Sequence, residues 1–306
     1  MKGNHMHVNV NVRTRALIGL TVVLVSSLLA GGVSADAEKA KEHYNKGVQE
    51  MQAGNTDGAI VAYKAAIAED AEYAVAYINL GAIYFEQQDY QKALETYTTA
   101  VQKAPQDAGA FTALGQVQSK LKRYADAEAS LLRALAIDGD NAAATKELCK
   151  AYYHGEKYED VVATAVKLHA GGGGDYFTYY VLGKAYQKAK QTGDALEALM
   201  RSAELNPDYY YTHSSLGSIY QSQNKYKLAA GAYKAAMKAD PMQYLASYNY
   251  AVAVESDDPS DYTRNIQVWN DFIKLAKKNP QAKTRVAEAQ QHVKDLMEAA
   301  EQADLQ

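Results

Sequence analysis

A chain of 306 residues with 48% hydrophobic and 22% charged side chains can bury a core and does not have the composition of a disordered protein. Its formal net charge is −4, and with no basic stripe that balance argues against nucleic acid as the main partner. Cys149 is the only cysteine, which excludes an internal disulfide, a cysteine-based zinc cluster and a CxxC redox pair.

The first 35 residues read as a targeting segment. Residues 1–15 are polar and carry Lys2, Arg13 and Arg15, residues 16–30 carry no charge, and Gly31, Gly32 and Val33-Ser34-Ala35 precede Asp36. A basic region, an apolar region and a small-residue cleavage site in that order predict a signal peptide cut after Ala35. The style is bacterial, so the expected location is the periplasm. Without Lys2, Arg13 and Arg15 the 32 basic residues fall to 29 against 36 acids, a net of −7. The alternative is an uncleaved anchor. A spanning helix needs ~20 apolar residues; residues 16–33 supply 18, weakened by three hydroxyl residues and by Gly31 and Gly32. Membrane contact is expected only if residues 16–33 are retained.

From Ala40 the chain repeats in steps of 34, with units starting at 40, 74, 108, 142, 176, 210 and 244. The eighth position reads Gly47, Gly81, Gly115, Cys149, Gly183, Gly217 and Ala251. The twentieth reads Ala59, Ala93, Ala127, Val161, Ala195 and Ala229, and the twenty-seventh Ala66, Ala100, Ala134, Leu168, Ser202 and Ala236. Pro105, Pro207 and Pro241 share the thirty-second. Positions seven, eight and eleven fall on one face of a first helix, and twenty, twenty-four and twenty-seven on one face of a second. Glycine inside a helix costs ~1 kcal/mol relative to alanine, so its recurrence predicts close packing of two helices. Proline then ends the second helix.

These residues resemble the tetratricopeptide-repeat pattern, most clearly in repeat two (Tyr77, Leu80, Gly81, Tyr84, Ala93, Tyr97, Ala100, Pro105) and repeat six (Leu216, Gly217, Tyr220, Ala229, Tyr233, Ala236, Pro241). The resemblance covers residues 40–279 and implies an all-α fold, a right-handed α-α superhelix (solenoid) of about seven helix pairs. Residues 280–306 then form a C-terminal capping helix, with Ala282, Val286, Ala289, Val293, Leu296 and Met297 as its apolar stripe. Repeat four departs most: it has Thr145, Cys149, Val161 and Leu168, lacks the proline and ends in Gly171–Gly174, a run that admits either a hinge or a tolerant loop. Repeat seven carries two extra residues around Asp257–Asp261, then Asn265, Trp269 and Phe272.

Catalytic patterns are not found. The histidines at 5, 7, 43, 154, 169, 213 and 292 form no metal spacing; there is no GxSxG, and the glycines before Lys184 are wrongly spaced for a phosphate loop. No enzyme activity, cofactor or metal is therefore expected. Cys149 occupies a small-residue slot and reads as a buried, inert thiol. The resemblance implies a partner groove lined by positions two, five, nine and twelve of the first helices. Those positions give Tyr44, Met51, Ile78 and Phe85, then Lys146, Lys150 and Tyr153, then Phe177, Tyr180 and Lys184, then Tyr211 and Tyr248. Phe85, Lys146, Lys150, Tyr153, Phe177, Tyr180, Lys184, Tyr211 and Tyr248 are the candidate partner-binding residues. The family's clamp for chaperone C-termini wants Lys and Asn at positions five and nine, and Tyr44 with Val48 or Ile78 with Ala82 does not supply them. The expected function is a protein–protein scaffold or adaptor of the bacterial cell envelope that binds a protein or peptide of mixed apolar and acidic character. A membrane-anchored assembly factor and a glycan-binding module are the alternatives.

Overall fold

The computed structural model describes residues 35–305, so the expected signal peptide, residues 1–35, lies outside it except for Ala35. Among the described residues all regular structure is helical. Seven pairs follow one another: α1 (Ala35–Gln52) with α2 (Thr56–Glu69), α3 (Ala74–Glu86) with α4 (Tyr90–Lys103), and α5 (Ala108–Lys120) with α6 (Tyr124–Ile137). Next come α7 (Ala142–His154) with α8 (Tyr158–Ala170), α9 (Tyr176–Lys188) with α10 (Thr192–Leu205), α11 (Tyr210–Ser222) with α12 (Tyr226–Ala239), and α13 (Tyr244–Asp257) with α14 (Tyr262–Ala276). A 3-10 turn (Pro280–Ala282) leads into α15 (Lys283–Asp304). No helix among the described residues is long and apolar enough to cross a membrane.

Each helix packs on its predecessor and successor in the chain, and the first helices of neighbouring repeats also touch, α3 with α5, α5 with α7, α7 with α9 and α9 with α11. The first helices thus make one continuous inner wall, as stacked units that cannot bury their faces alone must do.

Two kinds of turn alternate along most of the array. Within repeats the chain turns through a left-handed residue at the fifteenth position: Gly54, Gln88, Lys122, Glu156, Lys190 and Asn224 all have positive φ. The following amide closes the loop onto the first helix, as Asp89 N–H does on Tyr84 C=O at 2.9 Å, satisfying carbonyls that the helix end would leave bare. Between repeats the second helix ends instead in a residue outside the helical region, extended at Asp70, Asp138, Asn206 and Asp240 and at φ −125°, ψ 71° at Ala104. Pro105, Pro207 and Pro241 directly follow three of these, because proline pushes the preceding residue out of the helical region.

The two irregular repeats exchange these turns. The α8–α9 turn, which lacks proline, is of the within-repeat kind: Gly172 has φ +76° and Gly173 N–H closes on Leu168 C=O at 3.0 Å. The α13–α14 turn is of the between-repeat kind, with Asp258 extended ahead of Pro259. The two added residues of repeat seven make that possible. The glycine run also has packing reasons, since a Cβ on Gly173 would lie 2.7 Å from Leu168 Cδ1. Gly174 backs the ring of His169, which stacks on Tyr179 at 3.7 Å.

Inside each pair the eighth-position slot receives a side chain from the second helix. Cβ atoms placed on Gly47, Gly81, Gly115, Gly183 and Gly217 would strike Tyr63, Tyr97, Leu131, Leu199 and Tyr233 respectively. In repeat four Cys149 fills the slot itself, and the corresponding second-helix residue is Ala165, also fully buried. Burial pushes the Cys149 thiol up to about 12, the inert state expected of a desolvated thiol. At the C-terminal end Trp269 and Phe272 build a larger core, over which α15 lays Val286, Ala289, Val293 and Leu296. Met297, counted with that stripe, is instead 50% exposed, because it lies 100° round the helix from Leu296. His292 of α15 and the Trp269 indole N–H both meet the Glu255 carboxylate, at 2.8 and 2.6 Å.

Candidate partner-binding groove

The inner wall changes character between its two halves. In repeats one and two Tyr44, Met51, Ile78 and Phe85 pack half-buried against the N-terminal core, Phe85 edge-on to Tyr90 at 5.5 Å. Asn79 closes the region by donating to the Tyr44 hydroxyl at 3.1 Å. Phe85 is therefore far along the array from the other candidates. Tyr248 is set apart at the other end: its ring packs on Trp269 and Phe272, each at 5.3 Å, and Arg285 of α15 sits over it at 5.6 Å.

The remaining candidates come together across α7, α9 and α11. Tyr180 is the centre and is only 8% exposed. Around it stand Tyr153, Phe177, Tyr209 and Tyr211, with ring centroids 5.3–6.3 Å away. The Tyr153 and Tyr180 hydroxyls face one another at 3.5 Å. Burial, first, and the Tyr153 hydroxyl, second, raise the Tyr180 pKa far above the usual phenol value. Tyr180 thus supports the platform from below, and Tyr211, 53% exposed, is its open surface. Tyr211 leans on Tyr180 and Tyr209 at 49° and 56° and meets Tyr210 edge-on, ring contacts that favour one position for the exposed ring.

The lysines differ in their commitments. Lys146 is ion-paired with Asp175, which caps α9 by accepting from Thr178 N–H at 2.9 Å. Burial works to raise the Asp175 pKa, but Lys146 and the Thr178 donors outweigh it, so the net shift is downward. Lys150 pairs with Glu147 at 2.7 Å and lies 5.7 Å over the Phe177 ring. Lys184 has no acid beside it: its ammonium donates to Gln187 Oε1 at 2.9 Å. Burial, then the charge of Lys188, lowers its pKa.

Lys184 opens on a recess of about 590 Å³ lined by Ser214, Ser215, Ser218, Gln221, Tyr233 and Asn249. A larger recess, about 740 Å³, lies between α9 and α10 at Tyr179, Tyr186, Met200 and Arg201, and includes none of the inner-wall candidates. Tyr209 and Ser215 lie off the groove positions, whereas Ser214 and Ser218 occupy positions five and nine of repeat six. Tyr209 precedes its helix as the N-cap residue, so no face pattern selects it; the Tyr209-Tyr210-Tyr211 run was its signal. Among the described residues no cluster of His, Cys, Asp or Glu is placed to hold a metal ion.

Two family models described as tetratricopeptide repeat match the chain, one over residues 50–117 and 84–144, the other over 180–241 and 214–283. No curated protein sequence matches it. Among solved structures, the C-terminal part of a repeat-containing protein from Cytophaga hutchinsonii is similar at 17% identity and TM-score 0.61, over 79% of this chain and 98% of that one. YrrB, described as having an unusual peptide-binding site, is similar at 21% identity and TM-score 0.54, over 65% and 99%. MamA from Desulfovibrio magneticus is similar at 20% identity and TM-score 0.52, over 56% and 96%.

Proposed function

The chain belongs to the tetratricopeptide-repeat family, and on that premise we propose that it is a non-catalytic scaffold that holds a segment of a protein partner against repeats four to six. The observation that carries the reading is the platform at Tyr211. It is a half-exposed ring packed on Tyr180, Tyr209 and Tyr210, with Tyr153 behind Tyr180, on the wall where first helices align. Aromatic anchors of this kind contribute contact area at low ordering cost. The peptide-binding site described for YrrB is in keeping with a peptide as occupant. A sugar would need several open ring faces, and here the neighbouring rings are turned edge-on to each other.

The partner meets the protein in the cell envelope, on the strength of the basic, apolar and small-residue order of residues 1–35. The intact mass of protein recovered from envelope fractions tests that location. A chain beginning at Asp36 supports an exported, released scaffold, and one that keeps residues 16–33 supports the anchored assembly factor.

The groove itself is tested by Tyr211→Ala. Cross-linked capture of the partner should be lost while far-UV circular dichroism stays unchanged. Val61→Ala, on an exposed second-helix position of repeat one, should leave capture intact. Undiminished capture by Tyr211→Ala would refute the groove.

A further inference from the structure

Among the groove lysines of repeats four and five, Lys184 alone is left without a counter-charge. Lys146 and Lys150 have theirs in Asp175 and Glu147. Helix α11, across the recess, contains no Asp, Glu, Lys or Arg. The side chains of Ser215, Ser218 and Asn249 line the same recess, and no described residue hydrogen-bonds to them. A half-buried ammonium beside free hydroxyls and an amide is costly on its own, because the charge gives up water without gaining an opposite charge. A cation would be repelled there, and a neutral ligand would leave the ammonium still desolvated.

We infer that this recess is a subsite for the side-chain carboxylate of an Asp or Glu in the partner segment, one helical turn along the wall from the Tyr211 platform. The inference rests on the groove reading above and names its ligand chemistry. A single lysine matches a singly charged carboxylate better than a doubly charged phosphate. The serines and Asn249 can donate to its second oxygen. The geometry also fixes a spacing. Lys184 follows Tyr180 by four residues on α9, and Ser215 follows Tyr211 by four on α11, a displacement of about 6 Å along each helix. In an extended peptide, side chains on one face are two residues, about 6.6 Å, apart. The recognised segment therefore carries an aromatic or large apolar residue and, two positions along, an acid. These residues are not those of the chaperone clamp, which needs Lys and Asn at positions five and nine of one repeat.

The test is an array of N-acetylated, C-terminally amidated hexapeptides probed with the full chain and with Lys184→Met, Lys184→Arg and Tyr211→Ala, each checked by thermal melting. The wild type should bind peptides with an acid two residues from an aromatic, and bind their Asn or Gln counterparts about tenfold more weakly, as loss of one charged hydrogen bond predicts. Lys184→Met should erase that difference while keeping the preference for the aromatic, and Lys184→Arg should retain it. An acid preference that survives Lys184→Met, or Tyr211-dependent binding indifferent to the acid, would overturn the subsite and leave the groove standing. Failure of the wild type to bind any peptide in a Tyr211-dependent way would remove both.

Discussion

In repeat two the ring of Tyr97 presses onto Gly81, where a Cβ would lie 3.0 Å from the ring. In repeat four the same slot holds Cys149, and the residue that would press on it has shrunk to Ala165, with both fully buried. Repeat seven takes a third course, with Ala251 facing a core of Trp269 and Phe272. The slot stays buried in repeats two and four alike, filled from the second helix in repeat two and by two small side chains, one from each helix, in repeat four. A repeat that fails the pattern residue by residue can therefore still bury its seam.

Overpacking the regular slot should have the largest effect. A Cβ on Gly217 would sit 2.6 Å from the Tyr233 ring, so Gly217→Leu should lower stability by ~1–3 kcal/mol in urea unfolding. In repeat four, Cys149→Gly and Ala165→Tyr should each destabilise, and the double variant, which rebuilds the pair of repeat two, should cost less than the two added together. Strict additivity would break the comparison.

Next in size is the cap that joins repeats four and five. Asp175→Ala removes the N-cap of α9 and the partner of Lys146, and should cost about 1–2 kcal/mol. Because the folded-state pKa of Asp175 is lowered, its contribution is fully present above about pH 4, the ordinary Asp value. It is lost as pH falls through the lower folded value. Wild type and Asp175→Ala should thus converge in stability in acid and separate above that range. A difference that stays constant across the titration would count against the capped, ion-paired carboxylate.

The turns give a smaller effect. Glu156 holds φ +60° without being glycine, so Glu156→Gly should gain roughly 0.5 kcal/mol from relief of the left-handed strain, net of glycine's greater unfolded freedom. The same change at Asp258, where φ is −143°, should gain nothing. Smallest of all should be the reaction of Cys149 with a thiol reagent, absent in the folded chain and complete on unfolding; prompt labelling of native protein would show that the slot opens.

The period of 34 located much of this fold, since first helices begin at Ala74, Ala108, Ala142, Tyr176, Tyr210 and Tyr244, where the steps from Ala40 fall. The first helix, Ala35–Gln52, includes the step at Ala40. The exchange of turn types was not legible, although its causes were visible: a proline absent after α8 and one present after Asp258. The groove was less readable than the frame. Face positions select residues by direction and carry no account of what neighbours do with them. Tyr180 points inward yet is covered by other rings, Tyr248 is taken up by the cap at Arg285, and Lys146 and Lys150 find acids on nearby turns. Lys184 stands out only once the charges around it are placed.

The extended Asp258–Pro259 turn has a consequence for dividing the molecule. It is the same boundary that elsewhere separates one hairpin from the next, so α14 and α15 form a closing hairpin of their own, fastened back to α13 by Glu255 with Trp269 and His292. A chain cut at that boundary loses a unit, whereas a cut at the turn after α11 would split one. Grafting α14–α15 behind a shorter array would give that array a ready-made end.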